Sequence, residues 1–153
     1  MLTVLVVTLS LLLYAARRAV PSKAGHAPRP AILVVEDDTT IGPMLQSSLA
    51  EGLPATVDLA TTAREADAVL TLRRYDALVV DLALPDGSGL DLVSRVRGGR
   101  TASNRAIPIL VASGYTAPEN AKEVYGADHV FQKPYDIARV VKTTASSLRQ
   151  VFN

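Results

Sequence analysis

The feature that most restricts what this chain can fold into is a set of short, unbroken apolar runs separated by helical patterns. Residues 31–35 (AILVV), 77–80 (ALVV) and 107–112 (IPILVA) are too short for helices. They also lack the polar alternation of a half-exposed strand, so they read as strands covered on both faces. Between them, residues 39–52 set Ile41, Leu45 and Leu49 on one helical face and stop at Gly52. Residues 55–59 form a further short strand, after which Thr62 and Glu65 make a capping box opening a helix that carries Ala66, Val69, Leu70 and Leu72. A helix from about 88 to 97 follows the 77–80 strand and is stopped by Gly98 and Gly99. Thr116 and Glu119 make a second capping box, with Pro118 in its first turn and Gly126 at its end. Residues 130–132 are a fifth strand, and Asp136 can cap a last helix running to about 148. Strands alternating with helices predict an α/β domain, a doubly wound five-stranded parallel sheet with helices on both faces.

The chain's 153 residues suit one folded domain, and with two Phe and no Trp the core must be built from Val, Leu, Ile and Ala. The absence of cysteine excludes disulfides, thiol catalysis and Cys-based zinc sites. Residues 1–20 form a hydrophobic N-terminal segment whose first 16 residues carry no charge, followed by Arg17 and Arg18. It reads as a membrane anchor that would leave the folded part cytoplasmic, on the inner face of the plasma membrane. Two other readings stay open: a start codon placed too far upstream and, less attractively, a secretory signal. Residues 21–30 are a Pro-rich linker, which leaves 31–150 as the folded domain. The first 30 residues hold four basic side chains and no acid, so the rest has 12 basic against 15 acidic ones. That mildly acidic balance lacks the basic excess expected of a nucleic-acid binder.

In a parallel sheet every strand ends on the same edge, where open α/β folds bind their ligands. The first strand ends in Glu36, Asp37 and Asp38, the third in Asp81, the fourth in Ser113 and the fifth in Lys133. Singly, each has an ordinary explanation: acids at a helix start, a serine in a turn, a solvated lysine. Together, Glu36, Asp37 and Asp81 repel one another unless a cation joins them, and Mg²⁺ suits such oxygen donors better than Ca²⁺. A metal, an ammonium and a hydroxyl are the complements a phosphoryl group needs. No GxxxxGK[ST] loop is present to hold a nucleotide. Asp81 can then act as the nucleophile, since a carboxylate needs no general base to form an acyl phosphate.

In ILVVEDD, VVDLALPDGSG, ILVASG and QKPY, residues 31–150 resemble the receiver domain of bacterial two-component response regulators, the CheY-like superfamily. The resemblance implies a flavodoxin-like sheet of order 2-1-3-4-5, with Asp81 as phosphoacceptor assisted by Ser113 and Lys133. It implies Mg²⁺ bound by Glu36, Asp37, Asp81 and the main-chain carbonyl of Ala83, and a cis bond between Lys133 and Pro134. The implied donor is a histidine kinase or histidine phosphotransfer protein. The implied switch moves Ser113 inward and alters the face made by the fourth helix, fifth strand and fifth helix. One position departs from the family pattern: Val130 stands where an aromatic switch residue is frequent, and alternation sends the neighbouring Phe131 to the other face, into the core.

The expected function is that of a stand-alone receiver, since the chain stops shortly after the last helix, acting through protein contacts without binding nucleic acid and catalysing only its own phosphorylation and dephosphorylation. The alternative is a phosphorylation-independent interaction module on the same fold. A metal-dependent phosphatase is less well supported, because no second acid is placed to protonate a leaving group.

Overall fold

The computed structural model describes residues 29–103, 105–114 and 121–152. The N-terminal hydrophobic segment, most of the linker and the Thr116/Glu119 cap lie outside these residues. Among the described residues no helix is long and apolar enough to cross a membrane.

Strands β1 (Ala31–Val35), β2 (Thr56–Ala60), β3 (Ala77–Asp81), β6 (Ile109–Ser113) and β7 (His129–Gln132) form one parallel sheet in the order β2-β1-β3-β6-β7. Counting only these five, the order is 2-1-3-4-5. Helices α1 (Ile41–Gly52) and α5 (Ile137–Phe152) contribute to the core on one face; α2 (Ala63–Leu72) and α3 (Gly89–Arg97) contribute on the other. The short α4 (Ala121–Tyr125) precedes β7, and its Tyr125 packs on the α2/α3 side.

The apolar runs sort by parity into two cores. Leu33, Val35, Leu78, Val80, Ile109 and Val111 face α2 and α3, with Ala66, Leu70, Leu92, Val93 and Val96 packed on them. Ile32, Val34, Ala77, Val79 and Leu110 face α1 and α5, meeting Leu45, Leu49, Val140 and Leu148. A run covered on both faces therefore has no polar position to offer, which is why these strands show no alternation. At about 1.5–3 kcal/mol for each large aliphatic side chain buried, the central strands supply much of the driving force.

Several boundaries differ from those expected. Helix α1 begins at Ile41 rather than 39, because Asp38 Oδ1 accepts the amides of Thr40 at 2.8 Å and Ile41 at 2.9 Å. Strand β6 begins after Pro108, which has no N–H to place in a ladder, although its carbonyl accepts the Leu78 amide at 3.0 Å. Strand β2 is shifted one residue later, and α5 runs to Phe152. Between the 77–80 strand and the helix expected from about 88, a two-stranded antiparallel hairpin, β4 (Ala83–Leu84) with β5 (Gly87–Ser88), follows directly after Asp81. The Lys133–Pro134 bond is cis, as the resemblance implied. Val130 packs against the α2/α3 core and Phe131 lies in the α1/α5 core, so the two point to opposite faces.

At the amino edge of the sheet one arginine ties three segments together. Arg97 donates through Nε to the Gly126 carbonyl at 2.9 Å, through one terminal nitrogen to the Arg105 and Ile107 carbonyls at 2.6 and 2.8 Å, and through the other to Asp128 at 2.8 Å. Asp128 in turn accepts the Ile109 amide at 2.7 Å.

The start of α3 is packed directly against the end of β3. A Cβ added at Gly89 would lie 2.1 Å from the Asp81 carbonyl oxygen and 2.9 Å from Val80 Cγ2. Backbone on the central strand cannot yield cheaply. Gly89→Ala is therefore expected to destabilise the fold by about 2 kcal/mol or more, read as a lower urea midpoint, whereas alanine at Gly114, whose Cβ would meet nothing within 4 Å, leaves the midpoint nearly unchanged.

Candidate functional site

The carboxyl ends of β1, β3 and β7 converge on a single ammonium. Lys133, directly after β7, donates from Nζ to Glu36 Oε2 at 2.9 Å and to Asp81 Oδ2 at 2.6 Å. Glu36 and Asp81 are only 2% and 5% exposed. Burying two carboxylates this close is unfavourable unless a cation is shared between them, and Lys133 is that cation.

The backbone fixes each partner. Glu36 follows β1, and its amide donates to the Ala60 carbonyl of β2 at 3.0 Å. The other oxygen, Glu36 Oε1, accepts the Asp38 amide at 3.2 Å. Asp81 is the last residue of β3, paired in register with Ala112 of β6. Its second oxygen, Oδ1, accepts the amide of Ala83 at 3.0 Å. Lys133 is aligned because its own amide continues the ladder to the Ser113 carbonyl at 2.8 Å.

The electrostatics follow from this packing. Burial pushes the Glu36 carboxyl above its ordinary range, against the pull of the Lys133 hydrogen bond and charge. Burial works against the Lys133 ammonium too, but its bonds to Asp81 and Glu36 prevail and hold it above the usual lysine range. At neutral pH the lysine is therefore a fixed positive charge.

Asp37 is exposed, yet carboxylate oxygens from Glu36, Asp37 and Asp81 all lie within 4.8 Å of one another. Three acids against one lysine leave the edge negative. An all-oxygen donor set with surplus negative charge, one member open to solvent, is the chemistry that suits a hard, partly hydrated cation such as Mg²⁺.

Of the residues singled out in the sequence, the structure thus gathers Glu36, Asp37, Asp81 and Lys133, and joins Ala83 to Asp81 through its amide. Ser113 is buried at the end of β6, one position beyond the partner of Asp81 and opposite Gln132. Asp38 is the exception among the acids, since it caps α1. Its carboxyl is held below the ordinary range by the amides of Ile41 and Thr40.

Two further residues escape sequence reading. Tyr135 has a buried hydroxyl without a hydrogen-bond partner among the described residues, and burial, then the nearby Glu36 charge, push it up to about 12. Asp86, in the turn between β4 and β5, accepts the amides of Ala63 at 2.7 Å and Arg64 at 3.0 Å, the first two residues of α2. A turn aspartate between Pro85 and Gly87 carries no local sign that its partner lies 23 residues away.

Lys133→Met should remove the ammonium that, among the described residues, bridges Glu36 and Asp81. The expected loss is about 2–3 kcal/mol at pH 7, read from urea denaturation. Because neutral acids need no counter-ion, this loss should shrink as pH falls through the carboxylate range. A loss equal at pH 7 and pH 3 contradicts the electrostatic account.

The description response regulator receiver domain belongs to the family model that matches residues 32–145. Among curated proteins, the transcriptional regulatory protein QseB of Haemophilus influenzae is 34% identical over 123 residues, 79% of this chain and 53% of its own. The virulence transcriptional regulatory protein PhoP of Salmonella typhimurium is 35% identical over 121 residues, 78% of this chain and 52% of its own. The chain thus spans about half the length of these relatives. Among solved structures, a CheY-like receiver domain from Methanospirillum hungatei superposes with a TM-score of 0.69 at 26% identity, covering 80% of this chain and 95% of that one. A Francisella response regulator receiver domain gives 0.71 at 22% identity, covering 80% and 99%, and speaks for the fold.

Proposed function

The chain belongs to the response regulator receiver family, and from that premise we propose that residues 31–150 are a phosphoacceptor unit in which Asp81 takes a phosphoryl group from a phosphohistidine donor. The observation that carries this reading is the shared ammonium, with Lys133 2.6 Å from Asp81 and 2.9 Å from Glu36 beside the exposed Asp37.

Glu36, Asp37, Asp81 and the Ala83 carbonyl would hold Mg²⁺, which when bound offsets charge on the phosphoryl oxygens and on the acids themselves. An Asp81 carboxylate oxygen attacks phosphorus, an O–P bond forms, and the N–P bond to the donor imidazole breaks. The electron pair stays on the imidazole nitrogen, which is protonated from solvent. Lys133, fixed as a cation, stays beside Asp81 to meet the arriving negative charge, and the Ser113 hydroxyl supplies a donor from the next strand. Neither residue has to move a proton. The donor is a histidine kinase or histidine phosphotransfer protein.

Output passes through protein contacts. The curated relatives are named as transcriptional regulatory proteins and are about twice as long as the matched part, so transcriptional regulation is the role of those longer proteins. A second reading, an interaction module indifferent to phosphate, is favoured by Val130 in place of an aromatic. Its half-buried side chain packs against the α2/α3 core and has no ring to turn.

Incubating the full-length chain with acetyl phosphate and Mg²⁺ should add one phosphoryl group, seen as a mass increase that is lost under alkaline conditions. Asp81→Asn should abolish it, and omission of Mg²⁺ should reduce it by at least an order of magnitude. Identical spectra for wild type and Asp81→Asn would refute phosphorylation at this position and leave the phosphate-independent module.

A further inference from the structure

The hairpin that carries Ala83 is too small to hold itself in place. Each of its strands has two residues, and an isolated hairpin even of ordinary length is marginal in water. Its local ties are the Ala83 amide on Asp81 Oδ1, the Gly89 amide on the Leu82 carbonyl at 3.0 Å, and Ser88 Oγ accepting the Leu90 amide at 3.2 Å. All of these stay within residues 81–90. At the base of the hairpin the Leu82 amide donates to the Ala112 carbonyl at 3.0 Å, and Leu84 is buried in the α2/α3 core; beyond Leu82, the polar contact among the described residues that joins the hairpin to another part of the fold is the Asp86 carboxylate on the start of α2.

The accounting at that helix start is complete. The first four amides of a helix have no partner within it. Those of Ala63 and Arg64 go to Asp86; that of Glu65 goes to Thr62 Oγ1 at 3.1 Å; that of Ala66 goes to the Thr62 carbonyl at 3.1 Å. Glu65 reaches back to the Thr61 amide at 2.9 Å. Thr62 thus caps half of the helix, and a residue from the phosphoacceptor loop caps the other half. Asp86 carries a charge suited to the positive end of the helix dipole, and the amides of Arg64 and Ala63 hold its carboxyl below the ordinary range.

From this geometry we infer that Asp86 is a positioning residue for the metal site: by clamping the β4–β5 hairpin onto the start of α2 it holds Ala83, through whose carbonyl the cation would be bound, at a fixed place beside Asp81. The inference rests on the proposed function and deepens it. Asp86 touches neither the cation nor the phosphoryl group. Loss of the clamp frees the hairpin to move about its local ties, so Ala83 is no longer held and must be ordered when the cation binds. The consequence falls on cation affinity, and phosphoryl transfer at saturating cation is left as it was.

Two variants cut the clamp from opposite sides. Asp86→Ala removes the acceptor. Ala63→Pro removes one of the donors without altering the loop, at a first helical position where proline is well tolerated, after Thr62, whose extended backbone (φ −138°, ψ 157°) is already that preferred before proline. Calorimetric titration of the full-length chain with Mg²⁺ should show affinity about tenfold weaker for Asp86→Ala and about threefold weaker for Ala63→Pro, on the scale of outer-sphere substitutions at metal sites. Asp86→Asn, which keeps one acceptor, should lie between wild type and alanine. With acetyl phosphate, all three should need more Mg²⁺ for the half-maximal rate and reach the wild-type rate at saturation. Unchanged Mg²⁺ affinity in both Asp86→Ala and Ala63→Pro overturns the inference, as does a rate lowered equally at every Mg²⁺ concentration. A wild type that binds no Mg²⁺ and gains no phosphoryl group overturns the proposed function itself.

Discussion

One ammonium between two buried carboxylates is the constraint on which the arrangement depends. Glu36 and Asp81 lie at the ends of neighbouring parallel strands, out of water, and would repel one another strongly without a shared cation. Lys133 directly follows β7, at the far edge of the sheet, and its amide continues the ladder to the Ser113 carbonyl of β6. Strand order and register are therefore both expressed in two hydrogen bonds, of 2.9 and 2.6 Å.

Much of this was legible because buried parallel strands leave a strong signal. Runs such as AILVV and ALVV cannot be exposed on either face, and the residue ending each run is the first that can be polar. The fold class and the chemistry-bearing positions both follow from that. Boundaries were less readable, since they depend on side-chain caps. Asp38 stands with the acids at the strand end in sequence, but its geometry turns it to the Thr40 and Ile41 amides, so α1 starts at the first residue of its apolar stripe, Ile41, and not at 39. The β4–β5 hairpin was invisible for a related reason. Pro85 and Gly87 mark a turn, but strands of two residues have no period to detect.

Asp86 and Tyr135 show a deeper limit. Their surroundings are assembled from segments far apart in the chain, and nothing in the neighbouring residues specifies them. For Asp86 the partners are backbone amides, which have no residue identity at all. A sequence states which side chains exist; whether a helix start has amides to spare depends on what else caps it, and here Thr62 serves only half of them.

The two edges of the sheet are held by different means. The carboxyl edge, where β1, β3 and β7 end, is organised by charge, with the Lys133 ammonium set against the carboxylates of Glu36 and Asp81. The amino edge is organised by Arg97, whose planar guanidinium collects the carbonyls of Arg105, Ile107 and Gly126 together with Asp128. The consequence is a difference in what can loosen each end: three of the four Arg97 bonds go to neutral carbonyls, which do not titrate, whereas both Lys133 bonds go to carboxylates, which do.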